Sequence, residues 1–306
     1  MKNLLKVGTR SSRLALAQTG LVIAELSDRF PELEFKIETI KTEADTIPLS
    51  SNSKIDMKTA VTRNIEKSLL AGDIDVAIHS LKDLPNQPTN GLTLAATPSR
   101  GDARDAFISR SGEVLVDLPS HAKIGTSSLR RCSQVLSFRP DIQFVNIRGN
   151  VDTRIRKLEE NNYDGIILSA AGLIRLDIKD KITETLSIET MLPSPGQGAL
   201  AVQVNTNNES VVKIVEEIDD FNTRSTTTAE RSFSESLGGD CYVPLAAYAI
   251  SSGDRLILHG LLANVSGTNI LRDKYEGSIY NPTEVGKKLA ENILCHGGKK
   301  ILVEIS

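Results

Sequence analysis

The chain has 306 residues, 40% of them hydrophobic and 25% charged, with a formal net charge of −3. That is the composition of an ordinary globular protein, and the length predicts two or three domains rather than one core. Aromatic residues are only 4% and Trp is absent, which argues against a nucleic-acid binder with a basic domain and stacking aromatics. No apolar run approaches the ~18 residues of a membrane span, and Arg10 and Arg13 interrupt the first apolar stretch before a signal core develops, so a cytoplasmic protein is expected. Cys132, Cys241 and Cys295 are an odd number without C-x-x-C spacing, against a disulfide framework or structural zinc. A functional cysteine is then a lone nucleophile.

In chain order, a strand at Leu4–Gly8 leads through Gly8-Thr9-Arg10-Ser11-Ser12 into a helix from about Ser12, with Arg10 at the helix start. A strand at Glu34–Ile40, a helix near Ala60–Ala71 and a strand at Ile74–His79 follow. The last strand runs into Ser80-Leu81-Lys82-Asp83-Leu84-Pro85, and the carboxyl ends of strands are where open α/β sheets place ligands. Adjacent Lys82 and Asp83 would hold an anionic substituent and stabilise a developing cation or shuttle a proton; the alternative is a surface turn closed by Pro85. His79 is a packed strand-end histidine before it is a base.

Polar, Pro and Gly residues at Ser99–Arg104 and Leu192–Gln197 mark two crossings of the chain, a hinge with a cleft between two lobes. Between them lie Ala122–Gly125, Ser128–Phe138, Gln143–Ile147, Val151–Asn161 and Gly165–Ser169, a second strand-and-helix unit, and the alternation predicts α/β layers with parallel strands. The stretch Lys123 to Lys157 holds six arginines and two lysines against two acids. Thr126-Ser127-Ser128 before Arg130-Arg131 reads as a helix N-cap, and Arg148-Gly149-Asn150 as the next strand-to-helix turn. Such turns present backbone N–H groups and guanidinium forks together, which suits carboxylates or phosphates; the alternative is a solvated basic face. Arg10, Lys82, Arg130, Arg131, Arg148, Arg154 and Arg175 then predict a cleft lined by cations and a small polyanionic partner. Gly196-Gln197-Gly198-Ala199-Leu200-Ala201 matches a dinucleotide fingerprint but follows Pro193-Ser194-Pro195 and enters a strand, so it reads as a hinge turn with Gln197 facing the cleft.

After a strand at Ala199–Asn205 and a helix near Glu209–Asp219, a third unit runs through a helix at Ser225–Leu237, strands Val243–Ile250, Arg255–Ala263 and Ile270–Glu276, a helix Thr283–His296 and a final strand Lys300–Glu304. It predicts a three- or four-stranded sheet covered by helices. The domains are therefore 1–98 with 199–219, 104–193, and 222–306. Cys241 lies in Leu237-Gly238-Gly239-Asp240-Cys241-Tyr242-Val243-Pro244, where glycines give the backbone freedom and access that a covalent attachment point needs. The alternative is an inert core cysteine, and Asp240 beside it disfavours the thiolate. Cys132 and Cys295 read as packing residues.

The motifs VGTRSSRLALAQ, VAIHSLKDLP, RDAFIS, IGTSSLRR, IRGNVDTRIRKL, YDGIILSAAGL, LPSPGQGAL, TAERSF and the Cys241-Tyr242-Val243-Pro244 loop resemble, over the whole chain, the porphobilinogen deaminase (hydroxymethylbilane synthase) family. The resemblance implies an α/β fold of two periplasmic-binding-protein-like lobes with a double-crossover hinge, plus a smaller C-terminal α/β domain. It implies a transferase of tetrapyrrole and heme biosynthesis that joins four porphobilinogen molecules head to tail with loss of ammonia, water releasing hydroxymethylbilane. It implies a dipyrromethane cofactor on a thioether, with Cys241 at the attachment position, and a cytoplasmic monomer. Asp83 matches the catalytic aspartate. Ser80, Lys82, Thr126, Ser128, Arg130 and Arg131 match cofactor-binding positions, and Arg10, Ser12, Gln18, Arg148, Asn150, Arg154, Arg175 and Gln197 match the side that binds porphobilinogen and the growing polypyrrole chain. The family lid carries Gly-Lys-Gly-x-Phe, whereas here Met57-Lys58-Thr59-Ala60-Val61 keeps only the lysine, Lys58. These departures, with Asp240, leave open a cofactor-loaded deaminase of impaired turnover, and the same scaffold leaves open a non-catalytic anion binder.

Overall fold

A computed structural model of the chain describes residues 3–43, 57–160, 163–239 and 243–305. The first stretch gives β1 (Leu4–Thr9), α1 (Arg13–Arg29), β2 (Glu34–Thr39), α2 (Met57–Ala71), β3 (Val76–Ser80) and β4 (Leu92–Ala96). Next come β5 (Asp105–Ser109), β6 (Lys123–Gly125), α3 (Leu129–Leu136), β7 (Gln143–Val145), α4 (Val151–Glu160), β8 (Gly165–Ser169), α5 (Ala170–Arg175) and β9 (Glu184–Thr185). Then follow β10 (Leu200–Asn205), α6 (Glu209–Glu216), α7 (Phe221–Ser236), β11 (Leu245–Ser252), β12 (Arg255–Ala263), β13 (Ile270–Ser278), α8 (Pro282–Ile293) and α9 (Lys299–Ile305). The chain divides into two compact units, Met1–Gly101 with Ala199–Arg224, and Asp102–Gly198 with Ser225–Ser306.

The first unit is built on a five-stranded sheet of order β2-β1-β3-β10-β4. Ser12 caps α1, its Oγ accepting the Ala15 N–H at 3.3 Å, which satisfies one of the orphan donors of the first turn. Val22 and Leu26, one helical turn apart, press that helix onto Leu5, Val7, Val76 and Ile78 of β1 and β3. β3 is buried from Val76 through His79, as expected of a central strand covered on both faces.

The second unit holds two sheets, β7-β6-β8-β5-β9 and β11-β12-β13. In the first, Phe107, Ile124, Val135 and Ile167 fill one core and Ile108, Ile147, Ile166 and Leu173 the other. In the second, Phe233, Leu258, Leu289 and Ile301 form the core beneath α7, α8 and α9. Leu192 packs with Ala246, Leu261 and Ala263 along the seam between the two sheets, and Ala247 N–H donates to the Pro193 carbonyl at 3.0 Å.

Three expectations are corrected. The five-stranded sheets are mixed: β10 runs antiparallel to β3 and β4, and β5 antiparallel to β8 and β9. These are the strands that directly follow a passage between units, so they enter each sheet against the direction set by its own strand-helix-strand repeats. β4, β5 and β9, which the motif reading did not assign as strands, complete the sheets. Lys299–Ile305 is a helix rather than a strand, because Ile301 is fully buried whereas Val303, which alternation would place on the same face, is 77% exposed. Among the described residues the C-terminal sheet therefore has three strands.

Candidate active site

In the first unit the chain leaves the sheet at Ser80 and makes one tight turn, Leu81–Asp83, closed by Leu84 N–H on the Leu81 carbonyl at 3.1 Å. Leu81 and Leu84 are buried with Ala199 and Ala201, and Leu81 N–H donates to the Ala199 carbonyl at 3.0 Å. The two leucines pin the turn from both ends, and Lys82 and Asp83 between them remain half-buried. Ser80 is held from behind, since Gln18 Nε2, on the buried face of α1, donates to its Oγ at 2.9 Å. Arg10 is half-buried just beyond β1. Its charge reaches His79, whose burial pushes its pKa down to about 4; the Gln203 side chain works the other way and Arg10 adds to the drop. That histidine is a neutral packed group.

In the second unit β6 is followed by Thr126, whose N–H donates to the Val145 carbonyl at 3.0 Å, while Thr126 Oγ1 accepts the Ser128 N–H at 3.2 Å. Ser128 stands at the N-cap of α3 without a side-chain capping bond. Its hydroxyl is therefore not committed to the helix. Arg130 and Arg131 are buried against a common partner, Asp105. Arg130 Nη1 donates to Asp105 Oδ2 at 2.7 Å, and Arg131 Nε and Nη2 to Oδ1 at 3.1 and 2.7 Å. Arg131 Nη1 donates to the Ile167 carbonyl at 2.7 Å, so all three of its nitrogens have internal acceptors. Burial of Asp105 favours its neutral form, but the two guanidiniums outweigh it and hold the carboxyl well below the usual carboxylate range. Among the described residues Arg130 Nε and Nη2 have no hydrogen-bond partner.

Asn150, the next helix start, accepts the Thr153 N–H at 3.1 Å through Oδ1, and Arg154 Nε donates to the Gly149 carbonyl at 2.8 Å. Arg175 Nη2 donates to the Gly198 carbonyl at 2.7 Å. Arg148 is half-buried, and among the described residues its guanidinium makes no ion pair. Gln197 does not open outward as expected. It is 1% exposed, and its Nε2 donates to the Ala103 carbonyl at 2.7 Å and to Asp105 Oδ1 at 3.1 Å, because a buried amide must find internal partners.

Asp105 is the residue the sequence reading missed. Its signal was an acid opening the apolar run Ala106-Phe107-Ile108: an acid inside a strand that buries needs a cation, and Arg130-Arg131 are the candidates. Cys241 and Asp240 lie outside the described residues, as does the Lys58 side chain, whose backbone belongs to the first turn of α2. Gly238, at φ +65°, donates to the Glu235 carbonyl at 3.0 Å and Gly239 to the Ser234 carbonyl at 2.8 Å, a Schellman stop for α7. These glycines end a helix rather than merely loosen a loop.

The arrangement suits a ligand bearing several carboxylates. Among the described residues Arg130 offers uncommitted N–H groups, Ser128 a hydroxyl and α3 its amino end, while Arg148 has no counter-ion. Among the described residues no group of three or more His, Cys, Asp or Glu could hold a metal, and no helix is long and apolar enough to cross a membrane.

Residues 5–213 match the family model of the porphobilinogen deaminase dipyrromethane cofactor binding domain, and residues 225–295 that of the porphobilinogen deaminase C-terminal domain. The chain is 44% identical over 289 residues to the porphobilinogen deaminase of Clostridioides difficile (strain 630), covering 94% of this chain and 96% of that protein. It is 44% identical over 305 residues to the porphobilinogen deaminase of Carboxydothermus hydrogenoformans, covering 100% and 98%. Against that of Chlorobaculum parvum it is 43% identical over 308 residues, covering 100% and 99%. Among solved structures it is similar to a TRAP periplasmic solute binding protein from Desulfovibrio salexigens, at 10% identity and TM-score 0.44 over 72% of this chain and 73% of that one, a likeness too low to carry an argument.

Proposed function

The chain belongs to the porphobilinogen deaminase family, and from that premise we propose that Asp83 is its catalytic carboxylate and Cys241 the point of cofactor attachment. The protein is a hydroxymethylbilane synthase: it joins four porphobilinogen molecules head to tail, releases ammonia and gives hydroxymethylbilane for tetrapyrrole biosynthesis. The readings as a non-catalytic anion binder or an impaired deaminase are not supported. Its dipyrromethane cofactor supplies, when bound, the pyrrole to which the first substrate unit is joined.

The observation that carries the assignment is the pinned turn, with Lys82 and Asp83 side by side and half-buried between two anchored leucines. A carboxylate fixed there stabilises the positive charge that a substrate pyrrole acquires as ammonia leaves, and takes the ring proton displaced when the new carbon–carbon bond forms. Lys82 beside it binds a carboxylate arm. Ser80, Thr126, Ser128 and Arg130 would hold the cofactor's acetate and propionate groups. Arg131 acts from behind, its charge added to a site its nitrogens do not directly line. Arg148, Arg154, Arg10 and Arg175 take the carboxylates of porphobilinogen and the lengthening chain, with Ser12 and Asn150 shaping the helix starts beside them. Gln18 and Gln197 serve by holding Ser80 and Asp105. A cytoplasmic monomer belongs to the same reading, which light scattering at working concentration tests.

Intact-mass measurement of protein from a cofactor-competent host tests the attachment. The wild-type chain and Cys132→Ser are expected to carry the dipyrromethane increment and Cys241→Ser to lack it; an unmodified wild-type chain rejects the assignment. Asp83→Asn keeps the size and removes the charge, so the loaded variant is expected to lose at least about a hundredfold in kcat, the scale of acid–base contributions, with its melting temperature little changed. Near-normal turnover by loaded Asp83→Asn rejects the catalytic role.

A further inference from the structure

Helix α3 carries Arg130 at its amino end and meets the C-terminal sheet along its other half. Gln134, one turn beyond Arg130, is fully buried. Its amide is saturated: Nε2 donates to the Arg130 carbonyl at 3.2 Å and the Leu192 carbonyl at 3.1 Å, and Oε1 accepts the Leu192 N–H at 2.8 Å and Arg272 Nη2 at 3.2 Å. The Leu192 carbonyl also accepts Arg130 Nη1 at 2.8 Å. Arg272, on β13, donates its Nη1 to the Glu189 carbonyl at 2.7 Å. The turn between β12 and β13 closes on the same helix at Gly267, φ +70°, where a Cβ would overlap the Ser133 carbonyl and crowd Leu136.

We propose that Gln134 is a positioning residue through which the C-terminal domain, by way of Arg272, sets where the Arg130 guanidinium stands. A fully buried amide with all four bonding directions used has one orientation, and a shift of any partner costs a hydrogen bond that is buried at Arg130 and Leu192 and part-buried at Arg272. Arg130 and Gln134 share one acceptor, the Leu192 carbonyl, so displacing the amide moves or frees the guanidinium. The domain that contains Cys241 thus also fixes an arginine proposed to hold the cofactor's carboxylates. This inference rests on the reading of Arg130 given above.

Gln134→Glu is nearly isosteric; it keeps the acceptor for Leu192 N–H and Arg272 but loses both donors to α3 and to Leu192. Arg272→Met removes the C-terminal contribution, and Arg272→Lys partly restores it. With cofactor-loaded enzyme and limiting porphobilinogen, the readouts are kcat, KM and the intact-mass distribution of enzyme carrying added pyrroles. Gln134→Glu and Arg272→Met are expected to lower kcat/KM about tenfold, the loss of one or two hydrogen bonds, and to shift the distribution toward the earliest adducts in the same way as Arg130→Leu. Arg272→Lys is expected to lie between Arg272→Met and wild type. A lowered melting temperature with an unchanged adduct distribution would make Gln134 a packing residue and overturn the proposal. If Arg130→Leu alone shifts the distribution, the positioning role falls and the Arg130 reading stands; if Arg130→Leu shifts nothing, both fall. Should Gln134→Glu fail to fold, the two Arg272 variants decide.

Discussion

At His79 an imidazole with 6% exposure sits where β3 ends, its Nε2 without a hydrogen-bond partner among the described residues. The groups that act on it are Arg10 beyond β1 and Gln203 on β10, whose Nε2 in turn donates to Glu66 Oε1 on α2 at 3.1 Å. Burial keeps the ring neutral down to about pH 4, against an ordinary value of 6.5, so between these pH values the unfolded chain binds a proton that the folded one does not. Stability from this residue therefore falls as pH drops from ~6.5 toward ~4, by about 3 kcal/mol in all. Urea unfolding at pH 4.5 and pH 7 is expected to show that difference in wild type and a smaller one in His79→Gln; equal differences would mean the ring titrates normally. The sequence reading of His79 as a packed histidine needed only its place in an apolar strand. The orientation of Gln18 and Gln197 was beyond it, because which way an amide faces depends on partners 62 and 92 residues away.

The elements follow local chemistry closely where a turn residue and a period agree. Ser12 starts α1, Asn150 starts α4, and Gly238 with Gly239 stops α7. Where they conflict, context decides: Gly297, at φ +111°, breaks the chain after α8, and the apolar run beyond it was short enough to pass for a strand until Ile301 found the core. Met57–Val61, the departing lid sequence, belongs to the start of α2, with Ala60 buried and Val61 half-buried. Replacing Met57→Gly, Thr59→Gly and Val61→Phe together restores the family run but costs about 1 kcal/mol of helix propensity per glycine, so the first turn loosens. Quenched-flow intact-mass measurement is expected to show changed rates for individual pyrrole additions with cofactor loading intact. An identical elongation profile would make the departures neutral.

At the scale of the molecule, Asp105 ties together parts far apart in sequence: Arg130 and Arg131 of α3, Gln197, and through Arg131 the Ile167 carbonyl of β8. Its carboxyl titrates well below an unfolded aspartate because two guanidiniums face it. The stability it contributes is present above about pH 4, the unfolded value, and is lost as pH falls through the lower folded one. Asp105→Asn leaves two buried cations without their counter-ion and is expected to cost about 3–5 kcal/mol at neutral pH, narrowing as the wild type is acidified. Denaturant titrations of both proteins at pH 7 and pH 3 check it; a gap independent of pH would mean that shape, not charge, carries the effect.

The sequence alone determined the family, the α/β class, most helices and strands, and the turn after β3 with Lys82 and Asp83, because these depend on periodicity, capping residues and motifs a few residues long. Only the tertiary structure decided that β5 and β10 enter their sheets antiparallel, that the last seven-residue helix is not a strand, that Arg130 and Arg131 share Asp105, and that Gln134 joins α3 to Arg272. Each of these rests on pairing across 25 to 138 residues of chain or on which side of a short element meets a core. A buried charge or amide is satisfied by whatever the fold brings to it, and local sequence does not name that partner.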